Sequence, residues 1–179
     1  NRGQQSQVKT GPIKQGRSVR SRMRSFSTCG FLRLRLLFLA ALAVTSTPVL
    51  AQVTVTDGDT IKLNGTTYRL WGIDAPEASQ QCGDGWPAGL EATKALEELI
   101  RGRVVTCEAR GIDRYRRTIG LCRADGIDLG AAMVRTGMAW AFTRYSSDYV
   151  AEERSAIEAR SGVHAHECDK AWNWRAQRR

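Results

Sequence analysis

The chain has 179 residues, 42% of them hydrophobic and 25% charged, with a formal net charge of +9. Nine of its 27 basic residues, and none of its 18 acidic ones, fall in residues 1–51. From Gln52 onward the chain is formally neutral, so the net charge is no argument for a nucleic-acid-binding surface. No solenoid repeat, zinc-finger spacing or dinucleotide-binding glycine motif is present, which excludes those classes.

Residues 1–22 are polar, basic and unpatterned, and are expected to be disordered upstream sequence. Residues 23–51 read as a secretory signal. Arg24, Arg33 and Arg35 form its basic region, Leu36–Val44 its apolar run, and Val49-Leu50-Ala51 its small-residue cleavage site. The rival reading is a membrane anchor, but the apolar run is far short of the roughly 20 residues a spanning helix needs. Export, to a periplasm or outside the cell, follows from this reading. So does a single mature domain at residues 52–179 with no stable membrane association. Four cysteines remain there: Cys82, Cys107, Cys122 and Cys168. An even count in an exported protein favours two disulfides. Cys107 and Cys122 lie on two strand-like runs joined by a loop, and are paired across that hairpin, which leaves Cys82 with Cys168. Buried free thiols are the alternative.

In chain order, Gln52–Asp57 alternates apolar and polar residues as a strand does. Asp59–Leu63 and Thr66–Ile73 are two more strand-like runs, joined by Asn64-Gly65, a strong two-residue hairpin turn. Asp74–Pro87 reads as a loop. Ala88–Arg101 reads as a helix with Ala92, Leu96, Leu99 and Ile100 on one face. Arg103–Ala109 and Thr118–Cys122 are further strands. Leu129–Met138 fits a short helix with Leu129, Met133 and Val134 inward. Ser147–Arg160 fits a third, capped by Ser147 or Ser146, with Val150, Ile157 and Tyr149 toward the core. The predicted fold is therefore α+β: a five-stranded OB-type β-barrel with three helices.

The chemistry concentrates between Asp57 and Glu77. Asp57 and Asp59 flank Gly58 at a strand junction, and the hairpin at Asn64-Gly65 folds Asp59 back toward Asp74. Taken alone, Asp57-Gly58 is a common turn and Arg69 a common strand residue that is solvated or ion-paired. Their occurrence together with Asp74 and Glu77 within 21 residues gives the segment its meaning. Carboxylates gathered at one end of a barrel repel unless a cation sits among them. Oxygen ligands without His or Cys favour Ca²⁺ or Mg²⁺ over zinc.

Asp57-Gly58-Asp59-Thr60, Arg69-Leu70 and Asp74-Ala75-Pro76-Glu77 resemble the corresponding segments of the staphylococcal-type thermonucleases. Asp113–Arg117, Asp125-Gly126, Leu129–Met138 and Arg144-Tyr145-Ser146 extend the resemblance over roughly Val53 to Arg160. It implies Ca²⁺-dependent hydrolysis of DNA or RNA. Under it, Asp59 and Asp74 would bind Ca²⁺ by carboxylate and Ala75 by its carbonyl. Glu77 would take the proton of the attacking water, Arg69 and Arg117 would clamp the phosphate, and Tyr115 and Tyr145 would contact substrate. Two guanidiniums and a divalent ion suit the charge that builds on equatorial oxygens during attack on a phosphodiester.

The sequence departs from that pattern in three places. Tyr115-Arg116-Arg117 stands where the family usually has Tyr-Gly-Arg, which makes Arg116 a rival for the second clamp. Ala75 replaces a frequent Thr and keeps the carbonyl. Gly162–Cys168 replaces the usual continuation after the third helix. There His164, His166 and Cys168 alternate, but no fourth ligand stands at zinc spacing. The tail tryptophans, Trp172 and Trp174, are expected to pack on the barrel. Two rival functions stay open: a non-catalytic nucleic-acid-binding OB module, and an exported accessory protein of envelope polysaccharide metabolism.

Overall fold

The computed structural model describes residues 52–178, so the expected signal and the segment upstream of it lie outside the described residues. Strand β1 (Val53–Asp57) pairs antiparallel with β2 (Thr60–Leu63), and β2 with β3 (Thr66–Leu70). Asn64 and Gly65 hold φ of 50° and 85°, the positive pair a two-residue hairpin turn demands. The expected run Thr66–Ile73 breaks at Gly72, whose φ is +68° and where a Cβ would lie 3.0 Å from the Tyr149 ring. Beyond the break the chain turns away as β4 (Ile73–Asp74), which pairs with β8 (Trp140–Ala141) in a separate two-stranded sheet. This break sets Asp74 in a different sheet from Arg69.

Strands β5 (Val105–Ile112) and β6 (Thr118–Ala124) form the longest hairpin, and β6 pairs parallel with β3. The main path is β1-β2-β3-β6-β5, with β7 (Ile127–Asp128) also on β6. Among the described residues no β1–β5 pairing closes this path into a ring. Among the described residues there are four α-helices instead of three: α1 (Ala88–Ile100), α2 (Leu129–Arg135), α3 (Val150–Glu158) and α4 (Ala171–Ala176). The fourth spans six residues, too few for hydrophobic periodicity to register. None of these helices is long and apolar enough to cross a membrane.

Ile61, Leu70, Ile73, Leu96, Leu129, Met133 and Val134 are buried at the centre, each worth roughly 1.5–3 kcal/mol relative to exposure. Helix α3 differs from expectation at its start and its face. Neither Ser146 nor Ser147 caps it; it begins at Val150 after Tyr149, and the Ser146 hydroxyl instead accepts from the Asp148 N–H. Its buried residue is Ala156, while Ile157 is 53% exposed. The small side chain faces inward, and the next residue, about 100° further round, points to solvent.

The structure joins Cys107 to Cys122 and Cys82 to Cys168. The first pair sits opposite in the β5–β6 ladder. The second ties the loop before α1 to the tail. The stretch Gly162–His164 is a short 3-10 turn rather than a strand, so His164, His166 and Cys168 do not share a strand face. The His166 ring stacks on Trp86 at 4.3 Å and bonds Asp84 at 2.7 Å. A second small core of Trp140, Val163 and Ala171, flanked by Trp86 and Trp172, seats the tail.

Candidate active site

Gly58 lets three elements converge. A Cβ there would lie 2.7 Å from that of Ala92 on α1 and 2.8 Å from that of Ala75. The close approach carries Asp59 against the loop after β4. Asp59 is 4% exposed. Its Oδ2 accepts from the Ala75 N–H at 3.1 Å, and its Oδ1 from the Thr60 hydroxyl at 3.0 Å and Arg69 Nη1 at 2.8 Å. Burial pushes the Asp59 carboxyl above its ordinary value; Arg69 opposes that shift and the neighbouring Asp57 adds to it.

Arg69 bridges two sheets. From β3 it reaches Asp74 on β4, its Nη2 donating to Oδ1 at 2.5 Å. Asp74 is fully buried and also receives Arg175 of α4, from Nη1 at 3.1 Å and Nη2 at 2.6 Å. The same Arg175 Nη1 donates to Glu77 Oε1 at 2.5 Å. The result is a continuous chain of opposite charges: Asp59, Arg69, Asp74, Arg175, Glu77. Burial alone would lower both arginines, but the facing carboxylates outweigh it and raise them. Glu77 is also placed through its backbone, which donates to Gln80 Oε1 at 3.2 Å. Gln80, 1% exposed, in turn donates to the Asp169 carbonyl at 2.6 Å.

The β5–β6 turn brings a second group to the same cleft. Asp113 Oδ1 accepts from the backbone N–H of Tyr115 and Arg117, each at 2.9 Å, and Oδ2 accepts from Arg117 Nε at 2.7 Å. Burial would raise Asp113, but these bonds to Arg117 outweigh it and hold the carboxyl below its usual range. Arg116, standing where the family usually has glycine, keeps a left-handed φ of 67°. The turn therefore retains a glycine-like path despite the substitution. Arg117 lines the cleft and Arg116 does not. Tyr115 (61% exposed) and Tyr145 (65%) stand on its walls, Tyr145 packed on Phe142 at 5.0 Å.

The cleft, of about 820 Å³, is lined by five arginines (Arg69, Arg114, Arg117, Arg144, Arg175) and four carboxylates (Asp57, Asp59, Glu77, Asp113). Asp59, Arg69, Asp74, Ala75 and Glu77 thus form one connected array, with Arg117, Tyr115 and Tyr145 around the same opening. Among the described residues no group of three or more metal-ligating side chains converges closely enough to hold an ion. The donor chemistry nonetheless fits a hard divalent cation. Asp59, Asp74 and Glu77 offer the carboxylate oxygens such an ion takes, although in this arrangement Arg69 and Arg175 occupy them.

Sequence reasoning missed Arg175 and Gln80; Trp172, expected to pack on the barrel, packs on Trp140 and Phe142 and also lines the cleft. Arg175 lies 98 positions from Glu77, and no local pattern announces such a contact. The one signal was the pairing of Cys82 with Cys168, which fixes the tail beside the Glu77 loop.

The fold and cleft define an α+β protein that gathers carboxylates and arginines where two small sheets meet. A profile described as "Staphylococcal nuclease homologue" matches residues 67–165. The chain belongs to this family. Arg69, Asp74, Ala75, Glu77, Tyr115, Arg117 and Tyr145 lie within the matched stretch; Asp59 and Arg175 lie outside it. The chain is 38% identical over 112 residues to "Succinoglycan biosynthesis protein ExoI" of Rhizobium meliloti (strain 1021), covering 56% of this chain and 59% of that one. It is 31% identical over 131 residues to "Probable staphylococcal-like nuclease CAN1" of Oryza sativa subsp. japonica, covering 72% and 38%. It is 38% identical over 103 residues to an "Uncharacterized endonuclease" of Escherichia coli O157:H7, covering 55% and 63%. The chain therefore spans less than two thirds of the length of each of these relatives.

Proposed function

We propose that this chain is a Ca²⁺-dependent nuclease that hydrolyses phosphodiester bonds of DNA or RNA. The observation that carries the reading is the ion-paired array of Asp59, Arg69, Asp74, Arg175 and Glu77, with Asp74 buried beneath a cleft that the others line together with Arg117. Family membership and the names of two relatives, a staphylococcal-like nuclease and an endonuclease, support it. In this reading Asp59, Asp74 and the Ala75 carbonyl hold Ca²⁺, which supplies Lewis-acid charge to the phosphoryl oxygen when bound. Arg69 and Arg117 orient the phosphate and offset charge on its equatorial oxygens. Glu77 takes the proton of the attacking water as its oxygen bonds phosphorus and an ester P–O bond breaks; such a base contributes typically ~10²–10⁴-fold. Tyr115 and Tyr145 face the nucleotide. We read the path β1-β2-β3-β6-β5 as an OB-type barrel, and residues 52–179 as the mature exported domain after a signal at 23–51 and an upstream segment at 1–22. Two disulfides suit an oxidising compartment.

The test is single-stranded DNA incubated with the protein, with Ca²⁺ or with chelator, beside Glu77→Gln. Cleavage that needs Ca²⁺ and is lost in the variant is expected. No Ca²⁺-dependent cleavage, or equal cleavage by the variant, overturns the reading. The likeness to a protein named for succinoglycan biosynthesis favours a second reading, an exported accessory of polysaccharide metabolism. It predicts an inert result in the same assay.

A further inference from the structure

We propose that Arg175 is a built-in cation of the reaction site that contests the divalent ion for Asp74 and Glu77, and so sets its affinity. The inference rests on the ion-site reading above. Its starting point is the crowding of Asp74. This buried carboxylate accepts three guanidinium hydrogen bonds, two of them from Arg175 and together engaging both of its oxygens. Arg175 Nη1 also lies between Asp74 Oδ1 and Glu77 Oε1. An ion drawing on Asp74 needs the same lone pairs. Formal charge points the same way. Asp59, Asp74 and Glu77 with Arg69 and Arg175 sum to −1. A dication added without displacement leaves +1, whereas displacement of Arg175 leaves the cluster neutral.

The helix that carries Arg175 is docked, not a loose tail. Ala171 is fully buried beside Trp140 and Val163. The Trp172 ring packs on Phe142 at 5.4 Å, and Cys168 is bonded to Cys82. Arg178, one turn on, packs instead over Trp174 at 3.7 Å and takes no part in the cluster. The role therefore belongs to one arginine rather than to a basic tail in general.

The experiment is calorimetric titration of Ca²⁺ into the full chain, its Arg175→Gln and Arg175→Lys variants, and Arg178→Gln as control. Arg175→Gln is expected to bind at least about tenfold more tightly, because charge-assisted bonds no longer compete. Arg175→Lys should fall nearer the wild type and Arg178→Gln should match it. Without ion, Arg175→Gln should melt lower than wild type, and Ca²⁺ should raise its Tm by more. A measurement on the unaltered chain stands beside these: hydrogen exchange across 171–176 should quicken as Ca²⁺ saturates. Unchanged or weaker Ca²⁺ affinity in Arg175→Gln, or unchanged exchange in a wild type that binds Ca²⁺, overturns the inference and leaves the ion site standing. No Ca²⁺ binding by wild type or variant overturns the ion site, and this inference with it.

Discussion

The two disulfides make a quantitative prediction about how the site is held. Cys82–Cys168 closes a loop with a sequence separation of 86, and Cys107–Cys122 one of 15. In the chain-entropy account, removing the longer cross-link frees more of the unfolded ensemble, about 4–5 kcal/mol against about 3 kcal/mol. The structure sharpens the contrast. Cys107 and Cys122 already face each other in a hydrogen-bonded ladder, so their register survives without the bond. Helix α4 has six residues and is far below the roughly 12–15 an isolated helix needs. It depends on docking. The expected result is that Cys82→Ala/Cys168→Ala loses about 1.5 kcal/mol more than Cys107→Ala/Cys122→Ala. Urea denaturation of the two double variants under non-reducing conditions reads this directly from their midpoints. Hydrogen exchange should show the first variant losing protection across 168–178 before the sheet does. A 107–122 variant that proves the less stable, or a tail that stays protected without its tether, refutes a docked tail held by Cys82–Cys168.

Three further predictions concern the Asp113–Arg117 turn and the start of α2. Asp113→Asn removes the ionic partner of Arg117 and should lower kcat/KM about tenfold with modest loss of fold, since the guanidinium is no longer pre-oriented. Because the Asp113 carboxyl is held below its unfolded value, its stabilisation is present above the ordinary carboxylate range near ~4 and is lost as pH falls through the lowered value. Acid titration of Tm should show that component in the wild type and not in Asp113→Asn. Arg116→Gly relieves a left-handed φ of 67° that costs a side chain roughly 1–2 kcal/mol, against about 0.5–1 kcal/mol of added chain entropy. A small gain in Tm with unchanged activity is expected, and a fall in Tm would count against the turn described here. Asp128→Ala removes the α2 cap on the Ala131 N–H and the acceptor of the Tyr149 hydroxyl. Loss of about 2 kcal/mol by denaturant titration is expected.

The β-hairpins were legible because their signals are local. Asn64-Gly65 fixes its own turn through two positive φ values, and α1 and α2 declare their buried faces by spacing. What stayed hidden depends on contacts that no short window contains. Thr66–Ile73 reads as one strand because Trp71-Gly72 carries no strong turn signal; the chain breaks at Gly72, whose φ is +68° and where a Cβ would lie 3.0 Å from the Tyr149 ring. The inward face of α3 was misjudged for a related reason. Periodicity favoured the larger Ile157, but α3, which packs beside α2, buries the small Ala156 and leaves Ile157 exposed.

The site divides along the same line. Asp59, Arg69, Asp74 and Glu77 lie within one hairpin and the loop that follows it, so their convergence could be reasoned from the turn. Arg175 belongs to the same charge network yet comes from the far end of the chain. In the sequence Asp74 is a carboxylate that calls for a cation, and the local pattern around it points to a metal. The fold offers a second answer, a guanidinium delivered by a helix that the Cys82–Cys168 bond places beside Glu77. A buried carboxylate needs a positive partner whatever its source. Here the partner observed at Asp74 is guanidinium, from Arg69 and Arg175. On the proposal that Arg175 contests the ion, the tail belongs to the site's chemistry, and a protein cut back to the family-matched residues 67–165 lacks the guanidinium that meets Asp74 and Glu77.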